Sequence, residues 1–142
     1  MKSAKRMLAL ALTLLPMLAV ASPLGSTEKI VAQVPFEFMV SNKVIPAGQC
    51  IVQSLPMNAT TLIIRNTAAK VSTFSPASPD ESKSAASGYA LVFNKYGDRY
   101  FLSGIKLAGS RNTYRMPESK AETELRARNT PATEEVVLAS LQ

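Results

Sequence analysis

The clearest hydrophobic pattern lies between Tyr89 and Leu107, where two apolar runs meet at Gly97-Asp98. Glycine first in a two-residue loop suits a type II′ turn, whose twist matches that of paired strands. That turn sets Tyr96 opposite Arg99, Phe93 opposite Leu102 and Leu91 opposite Gly104. Side chains alternate along a strand. One face therefore carries Tyr89, Leu91, Phe93, Tyr100 and Leu102; the other carries Ala90, Val92, Tyr96, Phe101 and Ile105. Both faces are largely apolar, as in a central hairpin covered on both sides. Aromatic side chains on such a face either fill a core or line a ligand pocket, and core is the commoner fate.

Other segments repeat the strand pattern more briefly. Lys29 to Val40 reads as one strand, with Phe36, Phe38 and Val40 on one face and Glu37 and Met39 on the other. Pro35 within it points to an edge position or a strand beginning. Turns are expected at Ser41-Asn42-Lys43 and Pro46-Ala47-Gly48. Strands follow at Gln49 to Leu55, Thr61 to Arg65 and Lys70 to Phe74, with a break at Pro56-Met57-Asn58. Residues 75–88, SPASPDESKSAASG, hold no large apolar side chain and predict an exposed, flexible Ser/Pro loop. Thr113 to Met116 predicts a short strand, and Glu134 to Leu141 a final one.

Residues 117–128 predict the one helix of the domain. Pro117 suits a first turn, Glu118 lies near the positive end, and Arg126 and Arg128 lie near the negative end. Glu122 with Arg126, and Glu124 with Arg128, stand in favourable i,i+4 order. The apolar stripe is only Ala121 and Leu125, which predicts a surface helix. Roughly seven short strands, one late helix and no βαβ alternation imply a mainly β fold, an antiparallel β-sandwich or a small β-barrel.

The N-terminus changes the picture. Lys2, Lys5 and Arg6 precede an uncharged run from Met7 to Val20, and Ala19-Val20-Ala21 stands before Ser22. A basic head, an apolar run and a small-x-small site predict a cleaved signal peptide over 1–21, with Ala19 and Ala21 flanking the site and Ser22 first in the mature chain. The run is shorter than the ~20 residues of a transmembrane helix. The expected mature chain is a single β-rich domain over 22–142, exported to the periplasm or beyond the cell, with no transmembrane segment. Its charge is modest. The chain has 16 Lys and Arg against 10 Asp and Glu; without Lys2, Lys5 and Arg6 the balance is 13 against 10, or +3. That is not a nucleic-acid signature. The surplus is local: Lys95, Arg99, Lys106, Arg111 and Arg115 face only Asp98 in their stretch. They form either a candidate binding surface for an envelope protein, glycan or lipid, or ordinary solvated strand ends.

Catalytic chemistry is sparse. The chain has no histidine, which removes Ser-His-Asp and Cys-His machinery and the usual zinc ligands. Asp80, Glu81 and Asp98 match no calcium-loop spacing, and no phosphate-binding glycine motif occurs. No catalytic, cofactor-binding or metal-ligating residue is assigned, and no cofactor is expected. The lone Cys50, within Gln49-Cys50-Ile51-Val52, precludes an intramolecular disulfide and reads as a buried, inert thiol.

The stretches VPFEFMVSNKVIPAGQCIVQ (34–53), YALVFNKYGDRYFLSGI (89–105) and PESKAETELRAR (117–128) together resemble a family of small exported β-rich proteins common in acidobacteria. Cys50 stands where that pattern leads one to expect Tyr. The resemblance implies export and a β-rich fold and carries no activity. Sequence thus points to a non-enzymatic binding or structural module of the cell envelope. The alternatives are a small barrel carrying an apolar ligand or lipid, and a hydrolase working without histidine.

Overall fold

A computed structural model describes residues 28–55 and 57–142. The expected signal peptide and its cleavage site at Ala19, Ala21 and Ser22 lie outside the described residues, as does Pro56. The described chain forms β1 (Lys29–Val34), β2 (Phe38–Val40), β3 (Lys43–Ile45), β4 (Gly48–Leu55), β5 (Asn58–Asn66), β6 (Val71–Pro76), β7 (Ser78–Glu81), β8 (Ala90–Tyr96), β9 (Arg99–Lys106), β10 (Asn112–Arg115), α1 (Lys120–Ala127) and β11 (Thr133–Leu141).

The strands make one sheet that curls into a nearly closed barrel. Its main path runs β3-β2-β9-β8-β11-β1-β4-β5-β6. Among the described residues all strand ladders are antiparallel except β2 with β9, and an isolated bridge between Ala86 and Ala108 is parallel. The edge of β9 serves two partners: Phe101 pairs with Met39 of β2, and Gly104 to Lys106 pair with β10. β10 in turn pairs with β7. Because β7 continues β6 through Ala77, whose N–H donates to Thr60 O at 2.7 Å, the path of pairings returns to β9. The chain itself, rather than a further ladder, bridges the gap between β6 and β7. On the other arm, Ser41 Oγ in the β2–β3 turn donates to Phe74 O of β6 at 3.4 Å. Near-closure limits the exposed edges that make open sheets liable to aggregate, leaving β3, β6 and β7 each paired on one side.

Two expectations about strands are corrected. Lys29 to Val40 is not one strand. Pro35, which has no N–H to give, falls in a break between β1 and β2, and the two halves join different parts of the sheet. Residues 75–88 are not simply a loop either. They include the end of β6 and all of β7, and Ser82 N and Ala86 N donate to Arg111 O and Ser110 O.

The β8–β9 hairpin is central, with Tyr96 opposite Arg99 and Phe93 opposite Leu102. Gly97 has φ +63° and no other hairpin residue has a positive φ, as a type II′ turn requires. Beyond Phe93 the expected register fails. Leu91 faces Ile105, not Gly104, because the ladder shifts between Val92 and Phe93. Ser103 is the extra residue, and its Oγ donates to Val92 O at 3.1 Å. An extra residue reverses facing beyond it, so Ile105 joins Leu91, Phe93 and Leu102 in the barrel core. Phe38, Val40, Ile45, Cys50, Val52 and Ile64 fill the rest.

The opposite face of the hairpin is also buried, through Ala90, Val92, Tyr96 and Phe101. Here α1 docks. Ser119 caps it, its Oγ accepting from Glu122 N at 3.2 Å. Pro117 thus lies before the helix rather than in its first turn. Glu122 does not pair outward with Arg126 as expected. It is 3% exposed, and its Oε1 accepts from Asn94 Nδ2 at 2.7 Å and from Tyr96 Oη at 3.0 Å. Arg126 pairs with Glu118 instead.

Candidate functional site

The core does not fill the barrel to both ends. At the end where β1 begins and β11 finishes, a cavity of about 140 Å³ remains. Its apolar wall is Ile30, Val52, Leu62, Ile105, Leu107 and Leu141, with Tyr89 and Tyr114 beside them. The geometry follows from local structure. Ile30 is an inward residue near the start of β1, and Val52 and Leu62 are inward residues midway along β4 and β5. The β4–β5 ladder shifts between Ser54 and Leu55, so the two strands part where Ser54 meets the cavity. Ile105 reaches the cavity only because of the Ser103 bulge.

Polar atoms are few. Gln53 and Ser54 contribute from β4, and Glu28 from the residue before β1. Glu28 is half-buried; its Oε2 is shielded from solvent and has no hydrogen-bond partner among the described residues. Among the described residues no Lys or Arg lines the cavity. Small-molecule sites commonly have this composition, an apolar wall with a few placed polar groups.

At the hairpin end a wider depression of about 240 Å³ lies among Phe36, Glu37, Phe38, Met39, Val44, Asp98, Arg99 and Tyr100. It is larger, but its lining is more polar and its aromatic rings are engaged with one another. Phe36 stacks on Tyr100 with centroids 3.7 Å apart and meets Phe93 edge-on at 4.9 Å. The aromatic face of the hairpin is therefore core along most of its length, and only its Tyr89 reaches the cavity at the β1 end.

The basic residues do not form one surface. Lys95 and Arg99 lie at the turn end of the hairpin, over the rings of Tyr100 and Phe101 at 5.4 Å each. Lys106 lies at the far end of β9, roughly 23 Å away at strand rise. Arg111 pairs with Glu81, and Arg115 with Asp80, both at 3.4 Å. Those acids belong to β7, in the stretch expected to be a loop. Exposed pairs of this kind are structurally weak, yet they neutralise two of the five charges.

Cys50 lies on the inner face of β4, and burial pushes its thiol up to about 12. It is the thiol, not the nucleophilic thiolate, at ordinary pH. Among the described residues no group of three or more His, Cys, Asp or Glu side chains is placed to hold a metal ion. No helix among them is long and apolar enough to cross a membrane. Compared with known proteins, the chain matches no protein-family model, no curated protein and no solved structure.

Sequence reasoning reached Tyr89 as a member of an apolar face. It missed Glu28, which precedes the first strand and belongs to no periodic pattern. It also missed Glu122, although Ser119-x-x-Glu122 is a helix-start signature.

Proposed function

We propose that the chain is an exported, non-enzymatic binding module whose barrel holds a small, mainly apolar molecule in the cavity at the β1 end. One observation carries this reading: the barrel interior is packed at the hairpin end but unfilled beside Ile30, Leu62 and Ile105. An unfilled apolar volume costs stability, so a molecule that enters it recovers contacts the protein lacks. A cavity of this size suits a molecule of roughly benzene dimensions. Titration with benzene, followed by methyl NMR, tests the proposal. The methyl signals of Ile30, Leu62 and Ile105 shift saturably, while those of Ile45 and Val40 near the other end stay in place. Uniform or absent shifts defeat it.

A second reading, docking of another envelope protein, is favoured by the outer face of β11. Leu138 is 79% exposed and Val136 47%, and both point away from the core that Val137 and Ala139 contact.

A further inference from the structure

We infer that the molecule held at the β1 end is a small organic cation, a protonated amine on a compact apolar body, with Glu28 as its counter-ion. This rests on the binding reading above and names the ligand class for the same cavity.

Buried polar atoms in folded proteins almost always have a hydrogen-bond partner, and each exception needs an explanation. Glu28 Oε2 is such an exception. A carboxylate offers only acceptors, so the missing partner is a donor. Among the described residues the cavity wall supplies no Lys or Arg.

Charge then separates ligand classes. A fatty acid or a phosphate would bring a second anion to Glu28 in an apolar setting, where like charges repel strongly. A neutral alcohol would supply a donor without a charge. An ammonium supplies both, and charge-assisted hydrogen bonds are about twice as strong as neutral ones. The apolar wall of Ile30, Val52, Leu62 and Ile105 accepts the hydrocarbon part, and about 140 Å³ limits that part to roughly six carbons.

The test titrates the protein recovered after export, at neutral pH, with n-hexylamine, hexan-1-ol and hexanoate, reading saturable methyl shifts at Ile30, Leu62 and Ile105. The amine is expected to bind about tenfold tighter than the alcohol, with hexanoate weakest. Glu28→Gln brings amine and alcohol to within about twofold of each other, chiefly by weakening the amine. Residue 28 precedes β1, so the variant leaves the ladders intact. Equal binding of amine and alcohol, with a water satisfying Glu28, overturns the cation assignment while the cavity reading stands. So does a preference for the amine that survives Glu28→Gln. No saturable shift with any of the three compounds removes the binding reading, and the cation assignment with it.

Discussion

Glu122 shows how one residue can belong to two elements at once. Its backbone N–H satisfies the Ser119 cap, and its carboxylate accepts from Asn94 and Tyr96 on β8. Removing a buried acceptor leaves its donors unpaired, which costs about 1–3 kcal/mol. Glu122→Ala is therefore expected to destabilise the protein by about 2–3 kcal/mol and to lower Tm by roughly 10 °C; Ala at the exposed neighbour Glu124 changes little. Thermal unfolding of both variants checks this. Burial, with Glu122 beside it, pushes the Tyr96 hydroxyl up from 10 to about 12. The fold therefore binds this proton more tightly than the unfolded chain does. The resulting stability is whole below pH 10 and is lost as pH rises towards 12. Tyr96→Phe, compared with the parent by denaturant unfolding at pH 9 and pH 11, flattens that part of the decline. Cys50 was legible from its apolar neighbours. It is expected to resist a thiol reagent at pH 8 until the protein unfolds. Glu122 was not legible, because an i,i+4 partner in the sequence says nothing about what packs against the helix.

Among the elements, the hydrophobic pattern succeeded where burial selects the side chains and failed where backbone pairing acts alone. The β8–β9 turn was readable because Gly97-Asp98 sits between apolar runs. The bulge at Ser103 was not, since an unpaired residue leaves no mark in a composition of Ser and Gly. β7 is fully exposed, so Ser78-Pro79-Asp80-Glu81 carries no apolar alternation. Its hold on the sheet is the ladder to β10. The two arginine pairs to β7 lie in solvent, and Arg111→Ala with Arg115→Ala should together cost less than about 1 kcal/mol. Gly104 is different. A Cβ there would stand 3.1 Å from Thr113 Cγ2 and 3.3 Å from Tyr114 O, pressing β10 away from β9. Gly104→Ala is expected to cost about 1–3 kcal/mol, and chemical denaturation ranks the two variants. The opposite order would mean that charge, not close strand approach, holds this edge.

At the scale of the molecule, a mainly β fold was readable, but sandwich and barrel were not distinguished. The choice turns on β6 running through Ala77 into β7, a join made in a stretch without hydrophobic signal. Barrel closure in turn creates the end cavity. Strands that must meet around a ring leave space where side chains stop, and here that space lies between Leu62, Ile105 and Leu141. Neither the cavity nor its carboxylate had a counterpart in any one segment of sequence, since the lining comes from six strands and the residues beside them. The basic residues, prominent in sequence, are divided between the two ends of the hairpin, and two of them pair with acids of β7. Native mass spectrometry of the protein purified from its own host tests the binding reading most directly. The predicted spectrum shows a monomer carrying one small molecule that dissociates as a cation on activation. A bare chain, or an assembly with another polypeptide and no small-molecule mass, would contradict it and turn attention to Val136 and Leu138.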